Sequence, residues 1–169
     1  MSERFISIDP ANKTGLATWD GGNLIEWTTV KPIGKSGAYR VYGNKAESRH
    51  QAWLDVYNGF DPQAVVIERG FGGMATAVRS QGKHIGWHEC LCAAYYIPIV
   101  EVNVNEWRRV IKEDQGVSWP KESKRCKALS VKLVCELYGM TAANVTEDEA
   151  DAILLGRAAM RMGLVTIRA

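Results

Sequence analysis

Residues 5–19, FISIDPANKTGLATW, constrain the fold of this chain more than any other stretch. Phe5, Ile6 and Ile8 make a run apolar enough for a buried strand, and that run ends on a carboxylate, Asp9. Pro10 and the polar pair Asn12-Lys13 then break the strand, and Gly15-Leu16-Ala17-Thr18-Trp19 resumes β character. The expected unit is a hairpin with an acid at the end of its first arm. Taken alone, Asp9 reads as a turn residue whose side chain bonds its own backbone. Two more isolated acids in apolar surroundings, further along the chain, change its weight.

Asp20-Gly21-Gly22-Asn23 is a strong turn signal, and Leu24 to Val30 reads as a third strand of the same meander. Lys31 to Asn44, with Pro32 and several glycines, reads as a loop carrying Tyr39, Arg40 and Tyr42 near its tip. A helix is expected over Ala46 to Tyr57, ended by Asp61-Pro62, and a fourth strand over Gln63 to Glu68 that again finishes on a carboxylate. After the glycine-rich Gly70-Phe71-Gly72-Gly73, a helix is expected from about Met74 to Tyr95, then a fifth strand over Pro98 to Val104. Asn105 is the expected cap of a helix holding Trp107, Val110 and Ile111, and Gly116 to Pro120 a loop that carries Trp119. A basic helix follows from about Lys121 to Tyr138, with Gly139 able to end it. The last helix opens with a capping box, Thr146 with Glu149 at its third helical position. Asp151 lies inside the apolar series Ala150, Ala152, Ile153, Leu154 and Leu155, and Asp148 shares its helix face at i, i+3.

At 169 residues, with 46% hydrophobic and 24% charged content, the chain is expected to form one soluble domain over residues 1–169. No run reaches a membrane span, and Glu3-Arg4 before a short apolar strand is not a signal-peptide layout, so a cytosolic protein is expected. Cys90, Cys92, Cys126 and Cys135 show no C-x-x-C spacing and read as reduced thiols rather than a zinc site. His84 and His88, at i, i+4, lack the further ligand a metal site needs. The net charge of +2 does not announce a nucleic acid, but Arg108 to Lys132 holds eight bases against three acids, which predicts a basic face.

Two strand-end acids and a helical pair make a set of up to four carboxylates in apolar sequence. Crowded together in low dielectric they must take up protons or hold a cation, and an oxygen-only set suits Mg²⁺ or Mn²⁺. Two such ions about 4 Å apart can activate a water and stabilise the leaving oxygen of a phosphodiester.

The order of strands and helices, with these acids, looks like the ribonuclease H-like fold. More specifically the chain resembles the RuvC family of Holliday-junction resolvases, including its viral members. The residues that carry the resemblance are Ile8-Asp9-Pro10 with Gly15; Val66-Ile67-Glu68 followed by Phe71; Ser80-Gln81-Gly82 and Ile85-Gly86; and Asp148-x-x-Asp151-Ala152. It departs from the family pattern at Ala11, where the family has glycine after Asp-Pro, and in a longer loop between Lys112 and Lys121.

The resemblance implies an α/β, ribonuclease H-like fold, a five-stranded mixed sheet with helices on both faces. It implies that Asp9, Glu68, Asp148 and Asp151 are catalytic and hold two Mg²⁺ or Mn²⁺ ions, and that Phe71 wedges into unstacked bases. It also implies phosphate contacts from Lys124, with Lys121 and Lys127 beside it and Arg108 or Arg109 as further donors; such contacts position DNA rather than read it. The implied protein is a homodimer nicking four-way junction DNA symmetrically in the cytoplasm of a bacterium or a virus-infected cell. The helix from Met74 to Tyr95 is the expected interface.

Three other functions share parts of this pattern. One is a nuclease of the same fold acting on branched DNA or RNA hybrids, since fold does not choose substrate. Another is a junction-binding module without catalysis. An actin-like or sugar-kinase ATPase also begins with a strand, Asp and Gly, but needs two such domains, for which this chain is too short.

Overall fold

The structure, a computed structural model, describes residues 4–11, 13–69 and 75–165, side chains of 75–81 excepted. In chain order the elements are β1 (Arg4–Asp9), β2 (Thr14–Asp20), β3 (Asn23–Pro32), β4 (Tyr39–Val41), β5 (Asn44–Ala46), α1 (Arg49–Phe60) and β6 (Ala64–Arg69). Then come α2 (Ala75–Ala94), β7 (Ile99–Asn103), α3 (Val104–Gln115), α4 (Ser123–Tyr138) and α5 (Glu147–Arg161). The strands form one mixed sheet in the order β5-β4-β3-β2-β1-β6-β7, with β1 parallel to β6 and β6 parallel to β7.

Among the described residues the sheet has seven strands, not five. The extra pair, β4 and β5, lies in the stretch expected to be a loop. Tyr42 and Gly43 both take positive φ, 48° and 81°, so they form the two-residue turn that suits the twist of a hairpin and let Val41 pair with Asn44. A bulky Tyr in that conformation is uncommon, and for that reason the turn is hard to see in the sequence.

Alternation along the strands sorts two cores. Ile6, Ile8, Leu16, Val65 and Ile67 pack with Trp53, Val56, Tyr57 and Leu91 of α1 and α2 on one face. Phe5, Ala17, Trp19, Ala64 and Val66 pack with residues of α3, α4 and α5 on the other, where Ile153, Leu154 and Leu155 are fully buried. Helices therefore cover both faces, as expected. With both sides covered, β1 is buried from Phe5 to Asp9.

Helix ends follow local chemistry. The cap of α3 is Asn103 rather than Asn105: its side chain accepts from Asn105 N at 2.8 Å, and Glu106 reaches back to Asn103 N at 3.1 Å. Ser48 caps α1, so that helix starts later than Ala46. The capping box of α5 stands as expected, with Glu149 accepting from Thr146 N at 2.8 Å and also from Thr29 Oγ1 at 2.8 Å. Gly139 ends α4 with a positive φ of 65°. The four cysteines are free thiols. Among the described residues no helix is long and apolar enough to cross a membrane.

Candidate active site

Asp9 and Glu68 end neighbouring parallel strands. Ile8 of β1 lies opposite Ile67 of β6, so the next residue of each brings the two carboxylates side by side. The alternation that turns Ile8 and Ile67 toward α1 turns Asp9 and Glu68 toward α5. The amino end of α5 is docked over the same spot. Gly15, which pairs with Asp9 across the hairpin, has no room for a side chain: a Cβ there would collide with the Asp148 carbonyl. Ser7 holds the helix one turn on, donating to Ala152 O at 2.7 Å while accepting from Trp19 Nε1 at 2.9 Å. Gly156 is needed for the same approach, since a Cβ there would run into the Trp19 indole.

The sheet and α5 thus bring together all four expected carboxylates. Lys127 of α4 stands among them, its Nζ 2.6 Å from Asp148 Oδ1, 3.4 Å from Asp151 Oδ2 and 3.7 Å from Asp9 Oδ2. Ser130, one turn on, donates to Asp151 Oδ1 at 2.5 Å, and Trp107 Nε1 donates to Glu68 Oε2 at 2.8 Å. Burial, joined by the charges of Glu68 and Asp151, pushes the Asp9 carboxyl well above its ordinary range. Burial likewise raises Glu68, against the hydrogen bond from Trp107, and raises Asp151, against Lys127 and Ser130. For Lys127 burial works against the charge, but Asp151, Asp9 and Asp148 outweigh it and hold the ammonium above its usual range.

The cluster is therefore short of positive charge, and Lys127 partly supplies it. The donor set is all carboxylate oxygen on rigid elements, which fits a hard divalent cation. As the side chains stand, no three acidic, histidine or cysteine residues among the described ones are drawn together as a finished metal cage. The ammonium of Lys127 stands where the carboxylates of Asp9, Asp148 and Asp151 converge.

The basic candidates separate. Arg108 lies against both Trp107 and Trp119, whose rings meet edge-to-face at 5.4 Å, its guanidinium 5.2 Å and 5.0 Å from them and its charge felt by Glu68 and Asp151. Trp119 Nε1 donates to Arg108 O at 2.7 Å, and Arg108 Nε is buried without a hydrogen-bond partner among the described residues. Arg109 is exposed and pairs with Glu113 at 3.2 Å. Lys124, one turn before Lys127 in α4, and Lys121, just ahead of that helix, are exposed. Phe71 lies outside the described residues, as do the side chains of Ser80 and Gln81. Trp107 and Ser130, which hold two of the acids, were not expected as site residues.

No protein-family model matches the chain, and no curated protein matches it in sequence. Solved structures do. The chain is similar to Thermus thermophilus RuvC in complex with a Holliday junction substrate, with a TM-score of 0.65 and 18% identity, covering 97% of this chain and 98% of that one. The fold is that of RuvC. The Fowlpox virus resolvase, solved with Holliday junction DNA, is similar at TM-score 0.58 and 14% identity, over 95% of this chain and 99% of that one. The yeast mitochondrial Holliday junction resolvase Ydc2 is similar at TM-score 0.56 and 14% identity, over 94% and 79%.

Proposed function

We propose that this chain is a divalent-metal-dependent endonuclease that resolves four-way DNA junctions, acting as a homodimer. The observation that carries the proposal is the gathering of Asp9, Asp148 and Asp151 around the ammonium of Lys127, with Glu68 beside Asp9 close enough for its charge to act on that carboxyl. Likeness of fold to three junction resolvases supports the choice of substrate.

In this proposal the four carboxylates hold two Mg²⁺ or Mn²⁺ ions. When bound, such ions acidify a water for attack and offset charge on the leaving oxygen. Trp107 and Ser130 fix the orientation of Glu68 and Asp151, so both present oxygen in a set direction. Lys127, rather than Lys124, is placed to exchange its carboxylates for the phosphate at the cut. Arg108, packed against two indoles beside the acids, is the second phosphate donor, with Lys121, Lys124 and Arg109 on the outer path of the backbone. Phe71, three positions after Glu68, is the proposed wedge into the branch point. Dimerisation is assigned to α2, which is followed directly by the turn residues Tyr95 and a fully open Tyr96, 96% exposed; a two-fold enzyme suits a two-fold junction.

The test is cleavage of a four-way junction, a flap, a duplex and an RNA–DNA hybrid in parallel with Mg²⁺. Paired nicks confined to the junction are expected, and preference for the hybrid would move the protein to another activity of this fold. One observation favours a second reading, a module that binds junctions without cutting: Lys127 already pairs with three of the acids and supplies part of the positive charge they need. Turnover that depends on metal excludes that module.

A further inference from the structure

The turn that follows Asp9 is held from behind, on the face of the sheet that α1 and α2 cover. Arg49 opens α1, whose start is fixed by the Ser48 cap and whose next turns bury Ala52, Val56 and Tyr57. From that base its Nη2 donates to Ala11 O at 2.7 Å and to Thr14 Oγ1 at 3.0 Å. Thr14 Oγ1 itself donates to Ala11 O at 2.6 Å, so that carbonyl has two donors and three bonds close the turn between Asp9 and Thr14. The other end of the guanidinium is fixed as well. Nη1 lies 3.3 Å from His84 Nε2 of α2, and the guanidinium carbon stands 5.6 Å from the centre of the Tyr39 ring of β4. Burial and then Arg49 hold His84 below its usual range, so near neutral pH the imidazole is uncharged and its Nε2 can accept. Among the described residues, then, this half-buried guanidinium gives its donors to a backbone turn and an imidazole rather than to a carboxylate.

Asp9 stands two residues before the held carbonyl. Pro10, between them, has a fixed φ, and its ring keeps Asp9 extended, so few free rotations separate Ala11 O from the Asp9 side chain. A shift of the turn is therefore passed to the carboxylate, which has a set place 3.7 Å from Lys127 Nζ. From these bonds we infer that Arg49 is a positioning residue: it fixes the turn after Asp9, and so the direction in which Asp9 presents oxygen to the acid cluster, without touching DNA or metal. Through it α1, α2 and β4 set one corner of the site, as α4 and α5 set the other. As a contribution to cleavage this role rests on the nuclease proposed above; as control over where Asp9 stands it does not.

The experiment compares the natural full chain with Arg49→Met, which keeps the aliphatic stem and removes every donor. Three quantities are measured: four-way junction binding in chelator, the cleavage rate at saturating junction with Mg²⁺, and the assigned backbone amide resonances in chelator. Junction binding is expected to stay within about twofold while the saturated rate falls by about 10- to 100-fold, the cost of a small misplacement of a reacting group. The Asp9 resonance is expected to move while those of Asp148 and Asp151 stay. An unchanged rate with an unmoved Asp9 resonance overturns the assignment. A loss confined to junction binding, with the saturated rate intact, also overturns it and makes Arg49 a DNA contact. Where rate and resonance disagree, the resonance decides. If the natural chain cuts no junction, the nuclease falls and the Asp9 resonance alone judges Arg49; if variant and natural chain cut equally well and the resonance is unmoved, Arg49 falls and the nuclease stands. Should Arg49→Met not fold, Arg49→Lys, which keeps the charge without the two-pronged donor, is read by the same outcomes.

Discussion

Glu68 owes its direction to one bond, the 2.8 Å contact from the Trp107 indole, and Trp107 is itself fully buried. Trp107→Phe keeps most of the packing and removes the donor. The expected result is a fold intact by circular dichroism, with metal affinity and cleavage rate each reduced by about 10- to 100-fold. An unchanged rate would show that Glu68 needs no orienting. At this scale much of the site is legible in the sequence. Asp148 and Asp151 share a face by helical spacing, and Glu149 is taken out of the acid set by its capping box. What is not legible depends on docking. Lys124 and Lys127 lie on one face of α4, and only the way α4 rests on α5 decides which of them reaches Asp148. Trp107 meets Glu68 across 39 positions of chain, a distance at which no local pattern links them.

Among the elements, the seam between β2 and α5 decides whether the acids meet. Gly15 leaves no space for a methyl group against the Asp148 backbone, so Gly15→Ala must push α5 away from the hairpin. A loss of about 1–3 kcal/mol is expected in denaturant unfolding, together with loss of cleavage, since Asp148 and Asp151 move with the helix. Gly82→Ala, in α2 with nothing among the described residues within 4 Å of the added carbon, is the control and should leave stability unchanged or slightly raised. Strand-end acids and apolar runs made β1, β2, β3, β6 and β7 readable, whereas β4 and β5 depend on the positive φ of Tyr42, a conformation the residue type does not announce.

For the whole molecule, the acidic cluster opposes folding when no metal is bound. Asp9, Glu68 and Asp151 have carboxyls raised chiefly by burial, so the folded chain holds protons that the unfolded chain releases. Stability in chelator must therefore fall as pH rises from the ordinary carboxylate range through the raised values. Asp114 acts with the opposite sign: burial works against its charge, but Gln115 and Arg157 hold it below the usual range, and its contribution is lost on acidification. Thermal unfolding separates the two. Asp9→Asn should be more stable than the natural chain near neutral pH, by roughly 2–4 °C for each kcal/mol relieved, and the gap should close in acid. Mg²⁺ should raise the melting temperature of the natural chain and not of the variant; equal response of both would place the metal elsewhere. The claim at the centre, that this cluster cuts junctions, is tested most directly by incubating a mobile four-way junction with the natural chain and with Asp9→Asn, each with and without Mg²⁺ or Mn²⁺. Paired symmetric nicks that require metal and vanish in the variant are the predicted result. Tight junction binding with no cut under either metal would contradict it.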